Sequence, residues 1–143
     1  MPTRNGSAEW RGGLQDGDGT LRVGEHSYEG PYTFKSRFEE GEGTNPEELI
    51  GAAQAACYSM QLSAMLAGDG HTPDSVDTTA KVELRMVEET PTITKIALET
   101  EGKVPGIDAA TFDDYAKKAK DACLVSRALA GVNEITLSSK LAS

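Results

Sequence analysis

The chain has 143 residues, a net charge of −9 at pH 7, and a 38% hydrophobic and 26% charged composition that is typical of a globular protein. Its length predicts a single domain over residues 1–143. The acidic balance argues against nucleic acid as a partner, no apolar run is long enough to span a membrane, and MPTRNGSAEW lacks the apolar core of a secretory signal. We therefore expect a cytoplasmic protein with no membrane partner.

The first 43 residues are rich in Gly, Asp and Glu. Three short runs in this region are typical of strands, and they are Glu9–Arg11, Thr20–Val23 and Tyr32–Phe38. The glycine-rich pieces between the first two, GG and DGDG, are typical of hairpin turns. A small sheet is predicted here.

A helix is predicted to begin at Asn45. Asn45 suits the N-cap, Pro46 suits the first helical position, and Glu48 is placed to complete a capping box. Apolar residues then recur at helical spacing until the sequence GDG ends the run, and they are Leu49, Ala53, Ala56, Met60 and Ala64. The residues around Cys57 are small, which permits close approach of another helix or of another subunit.

A long β-hairpin follows this helix. Apolar and charged residues alternate from Ala80 to Met86, which predicts a strand with one dry face. The sequence EETP at positions 88–91 predicts the turn, and Ile96 and Leu98 lie on the return strand.

The last third of the chain predicts a second helix and a final strand. Asp108 or Thr111 can cap the helix, whose apolar stripe is formed by Phe112, Tyr115, Ala119 and Ala122. Cys123 closes this helix or lies at a break before a short one, and residues 134–141 predict a strand. The fold class expected is α+β, with antiparallel strands around two central helices.

Cys57 and Cys123 are the only cysteines, and each lies in a predicted helical region. A free cysteine in such a place is most often an inert small hydrophobe. In a reducing compartment a lasting structural disulfide is uncommon, and a disulfide that does form is more often transient and catalytic. From the residues alone, the pair is inert core filler, a structural disulfide or a working redox pair.

Arg37 lies just before the first long helix, in the run KSRFEEGEG. A guanidinium near a thiol favours the thiolate, which is the nucleophilic form. A buried arginine needs a carboxylate partner, for which Glu47 and Glu48 are candidates. The alternative is an exposed basic residue among acids.

The two histidines, His26 and His71, are predicted to lie at the surface. Neither is joined by Cys or carboxylates at the short spacing of a metal site, so no metal is expected. Neither shows the surroundings of a cysteine-protease histidine. The residues alone therefore indicate a dithiol redox protein as a candidate and no more specific function.

Four segments resemble the OsmC/Ohr family, the osmotically inducible and organic hydroperoxide resistance proteins. They cover most of the chain and read SRFEEGEGTNPEELIGAAQAACYSMQLSAML, VDTTAKVEL, ITKIALETEGKVPGIDAATFDDYAKKAKDAC and NEITLSSKL. The pieces SRFEEGEGTNPEELIGAA and VPGIDAATF are more similar to the OsmC branch than to the Ohr branch.

The resemblance implies a peroxidase without a cofactor, built as an intertwined homodimer whose antiparallel sheets wrap around two central helices. Cys57 matches the peroxidatic cysteine, whose thiolate attacks a hydroperoxide, releases the alcohol and becomes a sulfenic acid. Cys123 matches the cysteine that then forms a disulfide with it. An external thiol, either a small dithiol or a lipoyl group, reduces that bond. The arginine and glutamate of the family match Arg37 and Glu47.

A two-chain site follows from the helix spacing together with the resemblance. Ten residues of continuous helix span about 15 Å, so Glu47 cannot touch Cys57 of its own chain. We therefore expect the Arg37–Glu47 pair of one chain to complete the site around Cys57 of the other.

Phe38, Tyr58 and Met60 are candidates to shelter the organic tail of the hydroperoxide. A mostly apolar pocket favours organic hydroperoxides over hydrogen peroxide. Core packing is the alternative role for each of the three side chains.

Two positions depart from the pattern of many relatives. Leu124 stands where they have a proline that would begin a new helix with the cysteine at its N-cap, so a softer break is expected here. Gln54 stands where they have a histidine. The rival functions are a non-catalytic module that binds a hydrophobic ligand and a structural stress dimer with inert buried cysteines.

Overall fold

A computed structural model describes all residues, Met1–Ser143. The chain forms two compact units, Met1–Leu49 and Ile50–Ser143, and the single domain over residues 1–143 stays a prediction. The elements are β1 (Gly6–Arg11), β2 (Asp18–Val23), β3 (Tyr28–Tyr32), α1 (Phe34–Phe38), α2 (Pro46–Gly68), β4 (Ser75–Val87), β5 (Thr90–Lys103), α3 (Ala109–Ala122), α4 (Leu124–Ala128) and β6 (Glu134–Leu141). None of these helices combines the length and the apolar character that crossing a membrane requires.

The first unit contains an antiparallel sheet in the order β1-β2-β3. Leu21 of β2 is buried, and the rings of Trp10 and Tyr32 pack with their centroids 5.3 Å apart. The first two predicted strands are confirmed, with β1 and β2 each longer than expected.

The third predicted strand, Tyr32–Phe38, is wrong. The strand is β3, which ends at Tyr32, and the short helix α1 follows it. The Thr33 hydroxyl accepts a hydrogen bond from the Ser36 N–H at 3.1 Å, and the Ser36 hydroxyl accepts one from the Thr33 N–H at 2.8 Å. This reciprocal capping box turns the chain into a helix at a sequence whose alternating pattern is typical of a strand.

The start of α2 is confirmed at Pro46, with Asn45 before it as the cap. The Asn45 Oδ1 accepts a hydrogen bond from the Glu48 N–H at 2.8 Å. The predicted return bond of a capping box is wrong, because the Glu48 carboxylate accepts a bond from the Thr44 hydroxyl instead, also at 2.8 Å. The Asn45 Nδ2 donates to the Ser36 carbonyl at 2.8 Å, so one buried amide side chain joins α1 to α2.

Replacing Asn45 with alanine is expected to lower the free energy of unfolding by about 2 kcal/mol. About half comes from the lost helix cap and the rest from the unpaired buried carbonyl of Ser36. Urea unfolding measures the loss. The matched control is Asp108→Ala at the cap of α3, which is exposed and makes its cap bond to the Thr111 N–H, and its expected loss is about 1 kcal/mol. Equal losses at the two caps would contradict this account.

The second unit contains a sheet in the order β4-β5-β6. The predicted hairpin is confirmed, and its turn is tighter than expected. Glu88 and Glu89 both have positive φ, 48° and 65°, which makes a two-residue connection whose twist matches that of the strands. The prediction of antiparallel strands throughout is wrong at β6, which runs parallel to β5 because α3 and α4 carry the chain back across the unit.

The core of the second unit lies between α2, α3 and the sheet. Its buried apolar residues are Tyr58, Leu62, Leu66, Leu98, Val104, Phe112, Ala116, Ala119 and Cys123. The Tyr58 hydroxyl donates to the Ala116 carbonyl at 2.9 Å, which ties α2 to α3. The predicted final strand is confirmed as β6.

The apolar positions predicted at helical spacing on α2 lie mostly at the surface of the single chain. Leu49 is half-buried, and the other four predicted positions are exposed, namely Ala53, Ala56, Met60 and Ala64. The helix buries Tyr58, Leu62 and Leu66 because large side chains remove more apolar area from water than alanines do. One apolar face of α2 therefore remains uncovered.

Helix α3 begins after Asp108, which is one of the two predicted caps. The helix ends at Ala122. Ala122 of its predicted stripe is exposed, and Ala116 is buried in its place. Cys123 has extended backbone angles, φ −61° and ψ 118°, and is at once the end of α3 and the N-cap of α4. The expected softening of this break by Leu124 is wrong, since α4 begins at Leu124 without a proline.

Candidate active site

The two cysteines lie side by side in the second unit. Cys57 is on α2 and is half-buried, whereas Cys123 lies between α3 and α4 and is fully buried, at 0% exposure. Both are free thiols, and they are near enough for each to shift the pKa of the other. The structure thus brings together the two sulfurs that the sequence placed far apart, and only Cys57 has surface that a substrate can reach.

Burial raises the pKa of the Cys57 thiol above its ordinary value. Backbone N–H groups of Val125 and Leu124, at the start of α4, act in the opposite direction, and the neighbouring Cys123 raises the pKa further. The N–H groups do not outweigh burial, so the second unit alone does not activate Cys57. A nearby positive group would favour the thiolate form of Cys57.

For the Cys123 thiol, the hydrogen bonds together affect the pKa more than burial does. Burial alone raises its pKa, but hydrogen bonds from the Ser126 hydroxyl and backbone outweigh that effect, and Cys57 and the Val125 N–H add to them. The pKa of Cys123 therefore lies below its ordinary value.

Gln54 lies one turn before Cys57 and Tyr58 on α2 and is fully buried. Its Nε2 donates to the Ser126 Oγ at 3.0 Å. Its Oε1 is buried with no hydrogen-bond partner, which costs about 1–3 kcal/mol relative to a satisfied group. Sequence reasoning noted Gln54 without a mechanism and missed Ser126, whose only signal is its place three residues after a cysteine at a helix break.

Arg37 and Glu47 are brought together in the first unit. The Arg37 Nη2 donates to the Glu47 Oε1 at 2.8 Å, and the Arg37 Nε lies 3.2 and 3.3 Å from the two carboxylate oxygens. The Glu47 side chain is 11% exposed and that of Arg37 is 39% exposed. Glu47, rather than Glu48, is therefore the partner of the arginine. It occupies one edge of the guanidinium and leaves the other edge, at Nη1, for an anion.

The three predicted pocket residues have different surroundings. Tyr58 is fully buried in the core and Met60 is 75% exposed on α2. Phe38 is partly exposed, packs on Phe34 with the ring centroids 5.0 Å apart, and has the Arg37 guanidinium 5.2 Å from the centre of its ring. Contact of these side chains with a substrate stays a prediction.

No group of three or more His, Cys, Asp or Glu side chains comes together in the geometry of a metal site. His26 is exposed, and His71 is half-buried with its ring edge-on to Tyr115 at 6.3 Å between centroids. The chemistry that the described side chains offer is that of the thiol pair.

Comparison with known proteins identifies the family. Residues 39–138 match the model of the OsmC-like protein family. The chain is 52% identical over 141 residues to the peroxiredoxin OsmC of Escherichia coli K12, which covers 98% of this chain and 97% of that protein. The chain belongs to the OsmC-like family.

More distant OsmC-like relatives agree with this assignment. An organic hydroperoxide resistance protein of Xanthomonas axonopodis pv. citri is 34% identical over 98 residues, which are 68% of this chain and 67% of that protein. The crystal structure of an OsmC from Legionella pneumophila superposes over 100% of both chains with a TM-score of 0.68 and 20% identity. The predicted α+β fold of the OsmC/Ohr type is confirmed.

Proposed function

We propose that this OsmC-like chain is a thiol-dependent peroxidase that reduces organic hydroperoxides to alcohols. The observation that carries the proposal is the pair of adjacent free thiols, of which one is reachable and the other is buried among hydrogen-bond donors. The relatives named as a peroxiredoxin and as an organic hydroperoxide resistance protein support the same chemistry. Hydroperoxide and a reducing thiol are its co-substrates.

The first step takes place at Cys57. Its thiolate attacks the distal oxygen of ROOH, the O–O bond breaks, and the alkoxide takes up a proton and leaves as ROH. Cys57 is thereby oxidised to the sulfenic acid. The full burial of Cys123 supports Cys57 as the thiol that meets ROOH first.

The second and third steps use both sulfurs. The Cys123 thiolate attacks the Cys57 sulfenic sulfur, an S–S bond forms, and the departing hydroxide takes up a proton as water. A dithiol then attacks the disulfide, releases both cysteines as thiols and becomes a disulfide itself. Small dithiols and a lipoyl group remain the candidate reductants, and no cofactor takes part.

Arg37 and Glu47 are proposed as the groups that activate Cys57. Burial opposes ionisation of Cys57 in the isolated unit, and a guanidinium would supply the missing positive charge. The same cation would stabilise the negative charge that develops on the leaving alkoxide. Glu47 holds the guanidinium through two of its nitrogens and thereby fixes its direction.

A second copy of the chain is proposed to bring this arginine to Cys57. Helix α2 is continuous over Pro46–Gly68, which is the condition on which the two-chain site depends. The uncovered face of α2 next to Cys57 carries small and apolar residues, namely Ala53, Ala56, Met60, Ala64 and Ala67. Such a face suits close packing against another subunit.

Steady-state peroxide consumption tests the proposed function. With dithiothreitol or dihydrolipoamide as reductant, cumene and tert-butyl hydroperoxides are expected to give a kcat/KM about tenfold or more above that of hydrogen peroxide, because an apolar pocket binds the organic tail. Consumption no faster than in protein-free buffer for every peroxide and reductant would instead support a ligand-binding module or a structural dimer with inert thiols.

A further inference from the structure

We propose that Gln54 and Ser126 form a buried relay that prepares Cys123 for the disulfide steps. Ser126 donates its hydroxyl hydrogen to the Cys123 sulfur, and Gln54 is the positioning residue that orients this hydroxyl. The inference rests on the proposed function, because it concerns the formation and the reduction of the Cys57–Cys123 disulfide.

The direction of the relay follows from the donors and acceptors. A serine hydroxyl has one hydrogen to donate and can also accept. The Gln54 Nε2 donates to the Ser126 Oγ at 3.0 Å, and both side chains are buried, at 0% and 8% exposure. Because the oxygen is engaged by the amide, the hydroxyl hydrogen is free to turn toward another acceptor. Cys123 lies three residues earlier, at the N-cap of α4 and one helical turn from Ser126, and its buried sulfur is the acceptor that we assign to this hydrogen.

The unpaired Gln54 Oε1 argues against a purely structural role for this amide. A buried carbonyl oxygen without a donor destabilises a protein, and an apolar side chain of the same size would avoid that cost. The end of the Gln54 amide that forms a hydrogen bond is Nε2, and its partner is the Ser126 hydroxyl. The amide is therefore best explained by what it does to the serine.

The relay acts on two chemical steps. In the resolving step, the Cys123 thiolate attacks the Cys57 sulfenic sulfur, and the departing hydroxide leaves as water. In the reductive step, an external thiolate attacks the reachable Cys57 sulfur, the S–S bond breaks, and its electron pair leaves on Cys123. A lower pKa of the leaving thiol speeds its departure, so Ser126 assists this step too.

The test measures the pKa of Cys123 directly in a protein that carries Cys57→Ser and therefore a single thiol. Ultraviolet absorbance of the thiolate is followed against pH, which needs no reagent to enter the core. Three further variants are compared in this background: Ser126→Ala, Gln54→Met and Ser126→Thr. Tyr58 is the remaining titratable group near Cys123, and burial together with the Cys123 and Asp113 charges raises its pKa, so it stays neutral in this range.

We expect Ser126→Ala to raise the pKa of Cys123 by about one and Gln54→Met to raise it by a smaller amount. Ser126→Thr keeps the hydroxyl and is expected to restore the original value. Gln54→Met is expected to leave the free energy of unfolding unchanged or higher, because removal of the unpaired carbonyl offsets the loss of the hydrogen bond to Ser126. An unchanged pKa in both Ser126→Ala and Gln54→Met overturns the proposal, as does a Gln54→Met protein that is less stable with its Cys123 pKa unchanged.

The same variants with Cys57 intact report on the cycle. At a pH below the pKa of Cys123, Ser126→Ala is expected to slow disulfide formation about threefold, because tenfold less thiolate is partly offset by greater nucleophilicity. These two measurements separate the two proposals. A raised Cys123 pKa in a protein that forms no disulfide with peroxide supports the relay and rejects the peroxidase, whereas a working cycle with an unmoved pKa rejects the relay alone.

Discussion

Replacing Cys57 with serine is expected to lower the steady-state rate of organic hydroperoxide consumption by about three orders of magnitude or more. Cys57 is the thiol with surface that a hydroperoxide can reach, and a serine hydroxyl stays protonated where a thiol ionises. The measurement is consumption of cumene hydroperoxide with excess dithiol by the wild-type and Cys57→Ser proteins.

Cys123→Ser is the matched control for this experiment. Without reductant it is expected to consume about one equivalent of peroxide per chain and to form no intramolecular disulfide, leaving a sulfenic acid at Cys57 that a dimedone-type reagent traps. Retention of more than about a tenth of the wild-type rate by Cys57→Ser would place the nucleophile elsewhere.

The second large effect is expected at Arg37. Arg37→Ala should reduce kcat/KM for organic hydroperoxides about 100-fold, because it removes both the cation that favours the Cys57 thiolate and the charge that stabilises the alkoxide. Glu47→Gln should give a smaller loss, since it leaves the guanidinium present but poorly held.

Arg22→Ala is the control for a general effect of lost charge. Arg22 forms an exposed ion pair with Glu29 at 2.9 Å in the same unit, and its removal should change neither activity nor stability measurably. Equal activities of the Arg37→Ala and Arg22→Ala proteins would show that Arg37 has no part in the reaction.

Mixed dimers test whether Arg37 acts across chains. Cys57→Ser chains retain the arginine and Arg37→Ala chains retain the thiol, so neither protein has a complete site by itself. If the site combines both chains, an equimolar refolded mixture should recover about one quarter of wild-type activity, because half of the dimers are mixed and each has one complete site. No recovery would place Arg37 and Cys57 of the same chain together, or would show that the chain does not form dimers.

Features set by neighbouring residues could be predicted from the sequence. The cap at Asn45, the cap at Asp108 and the hairpin turn at Glu88 depend on short-range hydrogen bonds and backbone angles, and all three are present. The same local chemistry explains a failure, because the Thr33–Ser36 capping box made a helix of a segment whose apolar spacing favoured a strand.

Features set by distant contacts could not be predicted. Helix α2 has apolar residues around much of its circumference, so spacing did not distinguish the face that packs in the core, at Leu62, from the face left exposed, at Met60. The parallel pairing of β6 with β5 likewise depends on where two helices return the chain. Residue reasoning left the cysteines open between three roles, and contact of Cys57 with Cys123 emerged only from the packing of α2 beside α4.

We expect Cys57 and Cys123 to form a reversible disulfide as an organic hydroperoxide is reduced. Thiol titration before and after one equivalent of cumene hydroperoxide, followed by peptide mapping of the oxidised protein, measures this reaction. The expected result is loss of both thiols of each chain, a linked peptide pair that contains Cys57 and Cys123, and full recovery with a dithiol. Two thiols that survive the peroxide, or oxidised chains in which these cysteines are not joined to each other, would contradict it.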